Sequence, residues 1–298
     1  MPTTILALLL ATLGTAVHQV EGVMIKQYNK NHGTGGFLFT ALISLFAMIF
    51  FLVTDRNGLV FRAEMIPYGI ASGAFYCMAS FLTYIAFGCG SFVLTNLFLS
   101  YSLLFSVGYG LIILKEPATL FTYVGLILMM ISVFLVRQKA EKATDKKDEP
   151  RVKLSLKWVI CVALSVIGSG MFSVMQKLQQ VKFHKTCDNE FMIITLLFSA
   201  ITLFSIGIIT NRKNLLYILR HGGIYASVAG LSNGATNLLN LVVNAMIPIS
   251  IAAPTRSGIK IVISFLISLI LFKEKLSRRQ TFGVIIGATA LILLNLKI

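Results

Sequence analysis

The sequence predicts an all-α membrane protein of ten transmembrane helices, arranged as two inverted five-helix repeats. Three observations predict it. Hydrophobic residues make up 56% of the 298 positions and charged residues only 12%, too little charge to cover a soluble surface of that size. Polar residues gather in short junctions, leaving ten apolar stretches of about 20 residues, the length that crosses a hydrocarbon core of ~30 Å. One junction is also written twice. Leu114-Lys115-Glu116-Pro117-Ala118-Thr119, followed by Gly125, returns 158 positions later as Phe272-Lys273-Glu274-Lys275-Leu276-Ser277, followed by Gly283. Both copies sit between long apolar stretches, so a whole membrane-embedded half is duplicated.

The first span, Thr3–Ile25, has no basic leader and carries Glu21, so it is expected to be a retained helix and not a cleaved signal. Gly35–Thr54, Met65–Phe87, Phe92–Leu114 and Ala118–Val136 complete the first repeat, residues 1–136. Residues 137–157 form a linker: Arg137–Lys157 holds eight basic and four acidic residues and Pro150, with no apolar period. Lys157–Leu178, Phe191–Thr210, Ile218–Ala245, Ile249–Phe272 and Thr281–Leu296 make the second repeat, residues 158–298. Each repeat opens on small residues, Gly14-Thr15-Ala16-Val17 and Gly168-Ser169-Gly170-Met171, which let helices approach closely in lipid. Five is odd, so the second repeat enters the membrane from the opposite side and the repeats are inverted.

At the duplicated junction, Lys115 and Lys273 close one helix while Glu116 and Glu274 open the next, each charge complementing a helix dipole. Ser277 and Gln280 add a capping box. The pairs Gly69/Gly73 and Gly283/Gly287 have GxxxG spacing, which in a crowded bundle points first to internal packing; a homodimer stays open.

The net charge of +15 does not mark a nucleic-acid partner, because the basic residues lie mainly in loops, where they meet anionic lipid headgroups. Cys77, Cys89, Cys161 and Cys187 show no metal or redox spacing and read as small packing residues; no metal and no cofactor is expected.

Ten spans, two five-helix repeats and a Lys-Glu-x-x-[Thr/Ser]-x5-Gly junction resemble the EamA-like branch of the drug/metabolite transporter superfamily. The resemblance covers nearly the whole chain. It departs at the first helix of each repeat, where Leu13 and Ile167, not Trp, precede the glycine. It implies a central cavity lined by helices one, three, four, six, eight and nine, and cytoplasmic termini. The loop charges argue the reverse orientation, since most lie on the linker side. Orientation here follows the resemblance.

Charge inside the spans is scarce. Arg256 and Lys260 lie mid-way along the ninth span, about 40° apart on one helical face. A lone cation at mid-bilayer costs at least ~2.5–3.5 kcal/mol, so both face a cavity or a partner. Their counterparts in the first repeat are Phe98 and Ser102, so the duplicated fold does not require them. They bind an anion or form an internal lock with Glu21. Pro254, just before them, leaves the carbonyl of Ser250 without its helical donor. Asn233, Asn237, Asn240 and Asn244 project within about 60° of one another on the eighth span, a wet stripe with Thr236 beside it. Tyr76, Ser80 and Tyr84 on the third span, and Asn96, Ser100 and Tyr101 on the fourth, offer further polar lining; Tyr76, Asn96 and Tyr101 are taken as substrate contacts. His18 and Glu21 are candidates for proton coupling, with Gln19 between them.

These features predict a secondary transporter that moves a small polar or amphipathic, anionic or zwitterionic metabolite by alternating access in the plasma membrane. Its partners are that solute and the lipid bilayer. An exchanger of phosphorylated or nucleotide-linked compounds is the alternative that the cation pair suggests. A membrane-embedded enzyme would need paired acids or a nucleophile with its base, and one intramembrane acid does not supply them. An accessory subunit would leave the polar stripe without a purpose.

Overall fold

A computed structural model describes residues 2–55, 58–115, 120–136, 155–184, 186–211, 215–273 and 278–295. These residues form ten helices: α1 (Pro2–Asn31), α2 (Gly36–Thr54), α3 (Ile66–Cys89), α4 (Phe92–Ile113), α5 (Leu120–Val136), α6 (Leu156–Lys182), α7 (Asp188–Asn211), α8 (Leu215–Met246), α9 (Ile249–Ile270) and α10 (Arg278–Asn295). Seven of them, α1–α4, α6, α7 and α9, are long and apolar enough to cross a membrane. The other three of the expected ten differ for separate reasons. With 32 residues α8 has the length but carries the asparagine stripe; α5 has only 17 residues, and α10 opens on two arginines.

Several helices outrun their apolar stretches. The first runs past the expected Ile25 to Asn31, because a charge at Lys26 ends the hydropathy signal without ending the backbone hydrogen bonding. Tyr28 anchors this extension: its hydroxyl donates to the carbonyl of Thr34 (2.9 Å) and its ring stacks on Phe39 at 3.9 Å. The fourth helix is irregular, tightening to 3₁₀ over Ser100–Ser102 and widening to a π turn over Tyr109–Ile113. The ninth stays helical through Pro254.

Packing follows the duplication. Helix α1 lies on α8 and α9, as α6 lies on α3 and α4; α2 packs on α7 and α8, and α7 on α2 and α3. Counterparts also pair, α4 with α9 and α5 with α10, as α2 does with α7. Exchanging the halves maps these contacts onto one another, although α9 packs on α10 where α4 hardly meets α5. The duplicated junction repeats its backbone too: Lys115 and Lys273 are left-handed, with φ of 52° and 51°, each just past the end of its helix in the way an αL cap stops one. Glu116–Thr119, Glu274–Ser277, the Gln280 side chain and linker residues 137–154 lie outside the described residues.

The bundle is apolar outside and polar within. Ile209 is 83% exposed and Leu120 75%, while Gln19, Glu21, Asn96, Asn233 and Asn237 are buried. That distribution suits lipid as the solvent and defeats water.

Both GxxxG pairs are consumed inside the chain. A Cβ on Gly73 would lie 2.8 Å from the carbonyl oxygen of Thr195, and one on Gly287 would lie 2.8 Å from Ser132 Oγ. The small residues opening each repeat serve the same purpose. A Cβ on Gly168 would sit 2.9 Å from the carbonyl oxygen of Phe75, where α6 crosses α3. Backbone cannot yield as a side-chain tip does, so Gly168→Val should push these helices apart and cost about 1–3 kcal/mol. Thermal unfolding of the purified protein in detergent measures it; an unchanged Tm would show that the crossing is slack.

Candidate functional site

The six helices α1, α3, α4, α6, α8 and α9 enclose a cavity of about 210 Å³, and these are the six that the resemblance implies. It has room for several waters or one small metabolite. Of the residues singled out from sequence, Tyr76, Asn96, Asn233, Asn237, Asn240, Arg256, Lys260, His18 and Glu21 all line it, and so do Ser80 and Ser100.

The asparagine stripe divides by role. Asn233 Nδ2 donates to Glu21 Oε2 (2.9 Å), and Asn233 Oδ1 accepts from Tyr76 Oη (3.0 Å) and Asn237 Nδ2 (2.9 Å). Asn237 Oδ1 in turn accepts from Gln176 Nε2 at 3.2 Å. A carboxylate can only accept, so ionised Glu21 fixes the orientation of Asn233, which fixes Asn237, which fixes Gln176. The chain therefore has one consistent direction and ends on a charge. His18 Nδ1 lies 3.2 Å from the same Glu21 oxygen, an ion pair when His18 is protonated. Asn240 makes no hydrogen bond among the described residues and faces the cavity.

Asn244 does not line the cavity. Its Oδ1 accepts from Arg256 Nη1 (2.9 Å) and its carbonyl from Lys177 Nζ (2.9 Å), so it braces the start of α9. That contact uses part of the Arg256 guanidinium and leaves its other donors to the cavity. The Lys260 ammonium has no ion pair or hydrogen bond among the described residues, though it feels the charge of Glu21. Neither cation comes within 4.0 Å of a carboxylate among those residues. Two cations and one acid thus line one cavity with no ion pair between them among the described residues.

Two tyrosines lie elsewhere. Tyr101 packs with Phe98 (ring centroids 5.9 Å) in an apolar cluster beside Trp158. Helical periodicity accounts for it, since a 100° advance puts Tyr101 about 140° from Asn96, on the face opposite the lining residues, while Ser102 falls beside Ser106. Tyr84 packs among Tyr28, Phe39 and Gly36.

Toward one end the cavity is closed. Phe87, on its wall, stacks on Phe92 (5.2 Å), which meets Phe272 (5.2 Å); Lys26 covers the Phe272 ring at 4.8 Å and donates to the carbonyl of Gly90 at 3.2 Å. Nearby, Gln19 Oε1 accepts from Ser264 Oγ (3.0 Å) and Asn96 Nδ2 (3.5 Å), tying α1, α4 and α9. Sequence reading missed Gln176 and the lining serines Ser106, Ser169 and Ser173. Their signal was small polar residues at helical spacing, Ser102/Ser106 and Ser169/Ser173/Gln176.

A bundle with lipid-suited walls and a charged interior defines an integral, multi-pass membrane protein. Residues 156–296 match the EamA-like transporter family, which supports the resemblance to the drug/metabolite transporter superfamily and suggests a membrane transporter of small molecules. A protein of known crystal structure superposes on 95% of this chain and 95% of its own, with a TM-score of 0.65 and 13% identity, a likeness of fold. No curated protein matches the chain in sequence.

Proposed function

We propose that the protein is a secondary transporter of a small organic anion, working by alternating access between two inverted five-helix halves in the plasma membrane. One observation carries the anion: Arg256 and Lys260 line a cavity and form no ion pair with a carboxylate among the described residues. In such a space a charge-assisted bond to a carboxylate or phosphate is strong, and Arg256 can grip either one through two parallel donors. An exchanger of phosphorylated solutes is the second reading that this pair supports. Glu21, His18 and Asn233 form an acidic pole, which fits the ammonium of a zwitterion or a coupled proton.

Alternating access is supported by the packing pattern, which survives exchange of the halves, and by where that symmetry breaks. Exchange takes Gln19, Asn96 and Ser264 to Ser173, Pro254 and Ser106. The first three are bonded to one another, whereas Ser173 and Ser106 line the open cavity. A rocking transporter with one end tied and the other open has this asymmetry.

Thiol accessibility tests the pathway. In a background lacking the four native cysteines, Asn240→Cys should react with a membrane-impermeant thiol reagent, and a transported anion should slow the reaction. Asn244→Cys, facing Arg256 and not the cavity, should react far more slowly. Inertness of Asn240→Cys in a folded protein, with either face exposed to reagent, would refute the pathway.

A further inference from the structure

We infer that the transported anion is a hydroxylated one, a hydroxy acid or sugar acid, whose charge is taken by Lys260 and Arg256 and whose hydroxyls are read by Ser102, Ser106, Ser169 and Asn240. The inference rests on the anion-transporter reading above. It follows from sorting the polar side chains of the cavity by whether the protein already satisfies them.

Most are satisfied. Asn233, Asn237 and Tyr76 belong to the chain that ends on Glu21. Thr15, Ser100 and Ser173 donate to the carbonyl of the preceding turn of their own helices, and Thr83 bonds Ser165. Such groups shape the wall and have little left to offer a ligand.

A second set is not. The side chains of Ser102 and Ser106 on α4, Ser169 on α6 and Asn240 on α8 line the cavity and make no hydrogen bond among the described residues. Lys260, on α9, is in the same condition. Polar groups enclosed in an apolar bundle need partners, so water fills them in the empty cavity and a solute replaces that water on binding. Four helices converging with unspent bonding capacity mark where the solute is held.

The chemistry of the set selects the solute. A serine hydroxyl and an asparagine amide each donate and accept, and only a group that does both satisfies several of them at once. A hydroxyl does so. An alkyl chain offers neither, and an ammonium only donates and would sit beside two cations. Ser102 and Lys260 are counterparts under exchange of the halves, so a hydroxyl reader and a charge reader occupy the same place in the two repeats.

The test uses three probes of equal carbon number with the full chain purified in detergent: gluconate, hexanoate and glucitol. Gluconate should bind at least ~10-fold more tightly than hexanoate, because a site built for hydroxyls penalises their loss. In Asn240→Ala and in the Ser102→Ala/Ser106→Ala double variant that ratio should shrink toward one, while Arg256→Gln weakens both anions alike. Thermal unfolding of each variant separates lost binding from lost folding. Equal binding of hexanoate and gluconate to the native protein overturns the inference and leaves the anion reading standing. So does a ratio that the alanine variants do not move. Glucitol binding with neither anion overturns both, and binding of none of the three overturns the inference.

Discussion

Arg256→Gln is expected to weaken binding of an organic anion by on the order of 100-fold, and Lys260→Gln by about 10-fold. A hydrogen bond to a charged group contributes roughly 1.5–3 kcal/mol, and each ~1.4 kcal/mol is tenfold in affinity. Arg256 loses a bidentate contact, whereas Lys260 loses a point charge. Folding should survive, because a glutamine amide at 256 still has Asn244 Oδ1 within a side chain's reach, where Arg256 Nη1 now donates at 2.9 Å. Equilibrium binding of a radiolabelled anion to the detergent-purified protein measures the effect. If both variants bind and transport normally, or fail only by misfolding and recover with Glu21→Gln, the pair is an internal lock and the solute is not an anion.

Asn233→Leu should destabilise the fold by several kcal/mol, about 3–5 if Glu21 stays ionised, because removing one partner of a buried charge leaves the other uncompensated. Glu21 Oε2 loses its amide donor, Tyr76 Oη loses its acceptor and Asn237 Nδ2 keeps only the Asn233 carbonyl at 3.0 Å. Adding Glu21→Gln removes the stranded charge and should restore part of the stability. The coupling between the two sites is the readout, obtained from Tm values of both single variants and the double variant. Additive losses would mean that the Gln176–Asn237–Asn233 chain does not serve Glu21.

Much of the architecture was legible because a bilayer imposes simple rules. Apolar length gave most of the helices, and the two copies of the junction share a left-handed turn at Lys115 and Lys273, which the motif alone did not indicate. Helix ends were less legible: α1 continues past Lys26 because hydropathy marks where lipid ends, while backbone hydrogen bonds mark where helix ends. The site was legible to the extent that helical periodicity stays regular. Arg256 and Lys260 share a face and a cavity. On α4 the same 100° advance sets Tyr101 about 140° from Asn96, so Tyr101 packs with Phe98 while Ser102 faces inward.

By itself the sequence determined which side chains lie on one face of one helix: the cation pair of α9, the asparagine stripe of α8, and the small residues that let α6 approach its neighbour. It could not determine what stands opposite, because that is set by distances between helices far apart in the chain. Asn233 meets Glu21 across 212 positions, which makes it a brace for that side chain, while the Asn240 side chain, two turns further along the same stripe, has no hydrogen bond among the described residues and faces the cavity. Whether Arg256 and Lys260 formed a lock with Glu21 or a site for an anion was likewise a question of tertiary distance. The structure places no carboxylate within 4.0 Å of either cation among the described residues, so neither is held in an ion pair there.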